Sequence, residues 1–106
     1  MVKELKTLQE FNDAKANHKA LVVDFTATWC PPCQTIGPKF AAMDENKDYP
    51  GVTFVKLDVD ENAEGAQEAG ITCMPTFQFF KDGAKVDELQ GANEVELKAK
   101  LAKLAA

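Results

Sequence analysis

Leu21 to Ala27 is a nearly continuous apolar run broken at its centre by Asp24. A run this short and apolar predicts a strand buried on both faces of a mostly parallel sheet. Ahead of it, Val2 to Leu5 predicts a weak first strand. Thr7-Leu8-Gln9-Glu10 forms a capping box, and Leu8, Phe11 and Ala14 repeat along one face of a short helix. Asn17, His18 and Lys19 break that helix. From Cys30 to about Lys47 the apolar positions Ile36, Phe40 and Met43 recur at helical spacing. Pro38, helped by Gly37, is expected to kink this second helix. Tyr49-Pro50-Gly51 turns the chain into a strong strand, Val52 to Val59. Asn62 then caps a short helix that Gly70 ends. Thr76 to Phe80 reads as an aromatic strand. Lys81-Asp82-Gly83-Ala84 is a hairpin turn, so a strand over about Lys85 to Gln90 returns antiparallel, alternating poorly as an edge strand does. Asn93-Glu94-Val95-Glu96 opens a last helix with Leu97, Leu101 and Leu104 aligned. Alternating β and α, then a hairpin and a helix, predict an α/β sandwich around a mixed sheet.

Composition narrows the function. The 106 residues are expected to form one domain, 1–106, with a real core; 45% are hydrophobic and 27% charged, as in an ordinary soluble globule. No apolar stretch is long enough to span a bilayer and no cleavable leader is evident, so a cytoplasmic location is expected. Net charge is −5, and all twelve basic residues are lysines. Without arginine forks or a clustered basic patch, nucleic-acid binding is not expected. Three cysteines make no disulfide scaffold; in a reducing compartment a Cys-x-x-Cys pair is catalytic or metal-binding.

That pair is Cys30 and Cys33, in Phe25-Thr26-Ala27-Thr28-Trp29-Cys30-Pro31-Pro32-Cys33. Cysteines three apart in a first helical turn have Cα atoms about 5–6 Å apart, which suits a disulfide. First-turn N–H groups lack intrahelical partners and carry the positive end of the helix dipole, so a sulfur held there is favoured as thiolate. Pro31 and Pro32 fit this turn because no intrahelical N–H is needed there. Trp29 adds an apolar shield with one polar edge. The combination describes a reversible dithiol. A zinc site would also need Cys73 and His18, but the strand between His18 and Cys30 separates them by roughly 20 Å.

Asp24-Phe25-Thr26-Ala27-Thr28-Trp29-Cys30-x-Pro32-Cys33 resembles the active site of the thioredoxin family. Cys73-Met74-Pro75-Thr76-Phe77, Lys81-Asp82-Gly83 and Gly91-Ala92 extend that resemblance over essentially the whole chain, which is most similar to animal-type cytosolic members. The family usually has glycine at the position of Pro31; Cys-Pro-Pro-Cys is more typical of tryparedoxins and nucleoredoxins. Gln34 is a second departure, standing where relatives often carry Lys or Arg. The resemblance implies a thioredoxin fold, a three-layer sandwich with a five-stranded mixed sheet in the order 1-3-2-4-5 flanked by four helices.

It also implies protein-disulfide reduction, with no bound cofactor and no metal, and with electrons from NADPH through thioredoxin reductase. Disulfide-bearing proteins such as peroxiredoxins are the expected partners. Helix position and resemblance together make Cys30 the exposed attacking thiolate and Cys33 the resolving thiol. Asp24 should be desolvated with a raised pKa, paired with Lys56 on the next strong strand or accepting the Cys33 proton through water. An X-Pro bond is ordinarily trans, but the resemblance makes Met74–Pro75 cis and turns Met74 toward an extended substrate segment. Trp29, Pro31, Pro32, Thr72, Cys73, Met74, Pro75, Gly91 and Ala92 form the implied substrate-binding rim. Gly91 also reads simply as a turn before the last helix. Cys73 is either an inert small hydrophobe or, if exposed, the link of an oxidised dimer in an otherwise monomeric protein. Two alternatives stay open: a tryparedoxin-like or isomerase-like oxidoreductase, and a redox-sensitive binding module.

Overall fold

The computed structural model describes residues 2–106. Its elements run β1 (Lys3–Glu4), α1 (Leu8–Asn17), β2 (Ala20–Thr26), α2 (Pro31–Glu45), β3 (Thr53–Asp58), α3 (Ala63–Ala69), β4 (Thr76–Lys81), β5 (Ala84–Gln90) and α4 (Glu94–Ala105). The sheet order is β1-β3-β2-β4-β5; β1, β3 and β2 are parallel, and β4 and β5 are antiparallel to their neighbours. This is the thioredoxin fold.

Period-2 alternation along β2 divides the core. Leu21, Val23 and Phe25 join Phe11, Val55, Leu57 and Phe80 on the α1/α3 side of the sheet. Val22 joins Ile36, Phe40, Phe54, Phe77, Leu97 and Leu101 on the α2/α4 side. Asp24 has the parity of Val22, so its carboxyl enters the α2 layer, where Lys56 and Asp58 share the parity of Phe54 on β3. Each large side chain in these clusters contributes about 1.5–3 kcal/mol by burial. Asp24 occupies such a core position without that gain.

Caps fix the element ends. Thr7 accepts from the Glu10 N–H, while Glu10 reaches one residue beyond the expected cap and accepts from the Lys6 N–H. Asn93 accepts from the Glu96 N–H to start α4. Asn62 does two jobs: its Oδ1 caps α3 at Gly65 N–H, and its Nδ2 donates to the Leu5 carbonyl, tying α3 to the end of β1. Gly65 is required by that approach, since a Cβ there would lie 2.9 Å from the Asn62 side chain and from Leu57. Asp82 (φ +52) and Gly83 (φ +87) form the two-residue turn of the β4–β5 hairpin.

Several boundaries differ from the sequence expectation. β1 pairs over two residues rather than four, because it meets only the edge of β3, and Leu5 closes the contact with one N–H to the Lys56 carbonyl. β2 begins and ends one residue earlier than Leu21–Ala27. β3 lacks Val52 and Val59, which sit outside its ladder. Cys30 is the cap of α2 rather than its first turn, and α2 stops at Glu45 because Lys47 turns to φ +55. The helix runs on through Gly37 and Pro38.

Candidate functional site

The site sits where β2 hands over to α2. Ala27 closes a turn by accepting from the Cys30 N–H, and Cys30 then caps α2 with its own sulfur. Pro31 and Pro32 supply no N–H, so within this turn the Cys33 N–H is the donor that meets Cys30 Sγ, at 3.3 Å. The two cysteines form a disulfide with Cα atoms 5.3 Å apart, as their spacing predicts. Gln34 locks the approach: its side-chain amide donates to the Ala27 carbonyl at 3.0 Å.

The two sulfurs have different surroundings. Cys30 adjoins Trp29, which is 63% exposed, and its Sγ lies 3.7 Å from the Met74 carbonyl oxygen. Met74–Pro75 is cis, the form the resemblance implies and the opposite of the general X-Pro preference. The Gly91 N–H donates to the Pro75 carbonyl at 2.8 Å, so Gly91 (φ +102) does more than turn the chain: it ties the start of α4 to the Pro75 loop. Thr72, Cys73, Ala92, Pro31 and Pro32 are exposed around this loop and turn. The expectation of an exposed Cys30 needs correction for the disulfide form, in which Cys30 is 5% exposed and Cys33 2%. Both cysteines pack with Ala27, and Val59 and Met74 lie against that cluster.

Behind the disulfide, Cys33 and Asp24 line a cavity of about 500 Å³ that continues past Gly37 and Pro38 to Lys56, Asp58, Glu4 and Glu61. Gly37 leaves this space open, since a Cβ there would meet nothing within 4 Å. Asp24 is buried, and its Oδ1 has no hydrogen-bond partner. Burial pushes its pKa up to about 7, against a smaller lowering by the positive charge of Lys56. Lys56 stands opposite Asp24 in the β2–β3 register but is exposed, and it acts by its field without closing an ion pair. The expected Asp24–Lys56 pairing is therefore corrected to an attraction at a distance. On the lining of the same cavity, the exposed Glu61 carboxyl has its pKa raised by a hydrogen bond with Glu4 and by the charges of Glu4 and Asp58.

Two partners escaped the sequence reading. The indole Nε1 of Trp29 donates to Asp60 Oδ2 at 2.6 Å, fixing the polar edge of that ring. Asp60 is held in turn by its N–H to Asp58 Oδ1. Asp60 lies just past the C-terminal end of β3, beside the end of β2, which is where parallel-sheet proteins gather functional side chains; that rule was the available signal. Cys73 is exposed, and its carbonyl accepts from the Thr76 hydroxyl at 2.7 Å. His18 instead meets Thr53 Oγ1 at the other end of β2, and no metal-holding cluster occurs among the described residues.

Comparison with known proteins agrees with this geometry. The family model described as Thioredoxin matches residues 2–103. Thioredoxin from Ictalurus punctatus is 50% identical over 103 residues, covering 95% of this chain and 96% of its own length. Thioredoxin from Equus caballus is 48% identical over 101 residues, covering 93% and 94%. The crystal structure of Malassezia sympodialis thioredoxin superposes with a TM-score of 0.93 at 41% identity, over 99% of this chain and 94% of that one. Cys30 and Cys33 thus form the redox disulfide of a thiol–disulfide oxidoreductase active as a protein-disulfide reductase, and the chain belongs to the thioredoxin family.

Proposed function

We propose that Cys30 is the attacking thiolate, Cys33 the resolving thiol and Asp24 the proton acceptor for Cys33. The asymmetry of the two sulfurs carries this reading: Cys30 Sγ faces a helix-start N–H and the Trp29–Met74 rim, whereas Cys33 backs onto the cavity it shares with Asp24. In the first step the Cys30 thiolate attacks a substrate disulfide, one substrate thiolate leaves and takes a proton, and a mixed disulfide forms. Cys33 then gives its proton to the Asp24 carboxylate and attacks Cys30 Sγ; the Cys30–substrate bond breaks, the second substrate sulfur leaves as a thiolate that takes a proton from solvent, and the Cys30–Cys33 bond closes. Two electrons pass from the dithiol to the substrate.

Trp29, Pro31, Pro32, Thr72, Cys73, Met74, Pro75, Gly91 and Ala92 form the docking rim, with the Met74 backbone pairing to an extended substrate segment. Lys56 supports Asp24 electrostatically. The dithiol is regenerated by thioredoxin reductase at the expense of NADPH, the substrates include peroxiredoxin-type disulfides, and the protein works in the cytoplasm as a monomeric single domain. The family relationship and the absence among the described residues of any helix long and apolar enough to cross a membrane support these assignments.

The test is a trap. Cys33→Ser should hold partner proteins covalently on Cys30, whereas Cys30→Ser should hold none; the opposite pattern reverses the roles. Turnover of insulin with NADPH and thioredoxin reductase separates a reductase from an oxidoreductase recharged by another thiol donor, and from a binding module that grips partners without turnover.

A further inference from the structure

We propose that Glu4 and Glu61 are the proton-exchange port of Asp24, passing the proton taken from Cys33 to solvent through water in the cavity behind the disulfide. The inference rests on the reading of Asp24 as the proton acceptor. Asp24 is only 3% exposed and its Oδ1 touches no donor, so a proton placed on it needs a path of its own. The cavity of about 500 Å³ supplies that path, because its lining runs from buried Cys33 and Asp24 to half-buried Glu4 and exposed Glu61. Its walls are mixed, but the carboxyls of Asp24, Asp58, Glu4 and Glu61 and the amide of Gln34 along them offer the two to four polar partners a water needs.

The charged groups along the path come from every element around it. β2 contributes Asp24, β3 contributes Lys56 and Asp58, β1 contributes Glu4, and the segment after β3 contributes Glu61; α2 lines the path with uncharged residues, Gln34, Gly37 and Pro38 among them. Lys6 acts on Glu61 from just beyond β1. Asp58 is occupied, its Oδ1 accepting from the N–H groups of Asp60 and Glu61. Lys56 is a solvent-exposed cation. Glu4 and Glu61 remain: a half-buried and an exposed carboxyl close enough to share a proton, with a raised affinity at Glu61. The step balances without any oxidant. The proton leaves Cys33 Sγ for Asp24, leaves Asp24 for cavity water as another proton leaves that water for the carboxyl pair, and exits to bulk buffer.

The test uses the oxidised and reduced protein, with Glu4→Gln/Glu61→Gln as the variant; Glu61 is exposed and Glu4 half-buried, and both changes keep the side-chain shape, so folding should persist. The readout is the line width of the Asp24 carboxyl carbon resonance through its titration, at low buffer concentration. In the variant, proton exchange at Asp24 should slow several-fold, and added imidazole buffer should restore it by replacing the missing carboxyls. Exchange as fast as in the parent, or slowed exchange that imidazole does not relieve, would overturn the port. Release of a trapped mixed disulfide is measured alongside in Asp24→Asn. Unchanged release there refutes Asp24 as the acceptor, whatever the exchange data say, so the two failures are told apart.

Discussion

Cys30 and Cys33 are one helical turn apart and covalently joined, yet they face two different environments. In front of Cys30 lies a rim that touches solvent: exposed Trp29 and prolines, the Met74 carbonyl, and the Pro75–Gly91 tie. Behind Cys33 lies a cavity with a buried, unpartnered carboxyl whose pKa burial raises to about 7. The front is built from backbone groups and apolar surface, which suit the proposed docking of chain segments with little demand on their sequence. The back is built from one buried carboxyl, which costs stability and, in the proposed mechanism, serves as a base near neutral pH. The contrast within a four-residue motif thus comes from the Met74–Pro75 loop and Gly91 on one side and the β2–α2 interlayer on the other.

The largest effect expected from breaking this contrast comes from the back. A carboxyl with a pKa near 7 in the folded protein and about 3.8 unfolded costs nothing below the lower value, where it is protonated in both states. As pH climbs between the two, the unfolded chain ionises first and stability falls; above about 7 the whole penalty, about 4 kcal/mol, is present. Asp24→Asn should therefore be more stable than the parent at pH 8, lose most of that advantage by pH 4, and resolve mixed disulfides more slowly. Denaturant midpoints of the oxidised proteins across this range give the answer, and parallel slopes would refute the penalty.

On the front, Asp60→Ala frees the Trp29 indole at a cost of about 1 kcal/mol, or about fivefold in kcat/KM for a protein disulfide. A small aromatic disulfide should be reduced at the parental rate, since it does not need the rim. Pro31→Gly tests the turn itself. It restores an N–H toward Cys30 Sγ, stabilising the thiolate and the reduced form, and it loosens the open dithiol. The expected result is a potential less negative by roughly 20 mV, about 1 kcal/mol for a two-electron couple, read by equilibration with glutathione. Smallest is Cys73→Ser. Exposed and outside the disulfide, Cys73 should be dispensable for turnover, while any dimer formed on mild oxidation should vanish with it. A surviving dimer would assign the link to Cys30 or Cys33.

Much of the fold was legible because its signals are local. Thr7, Asn62 and Asn93 cap the helices they announce, Asp82-Gly83 makes its hairpin, and the apolar spacing of Leu97, Leu101 and Leu104 gives the buried face of α4. The dithiol was legible for the same reason. The strand order and the cis bond at Pro75 came from resemblance, since strand composition does not encode neighbours and X-Pro bonds are mostly trans. The rest depends on partners far apart in sequence: Asp60 for Trp29, Leu5 for Asn62, Pro75 for Gly91, and Ala69 with Glu88 for the buried amide of Gln78. No spacing rule reaches across such separations. The Asp24–Lys56 register was readable from strand order, but the failure of the pair to close was not, because it depends on where a long lysine finds water.

The most direct test of the division between the two cysteines is a site-resolved titration of the reduced protein, following the Cβ resonances of Cys30 and Cys33 separately. Cys30 should ionise below the free-thiol value of about 8.5, and Cys33 above it, its curve coupled to that of Asp24. A Cys33 that ionises first, or a Cys30 that titrates as a free thiol, would contradict the account.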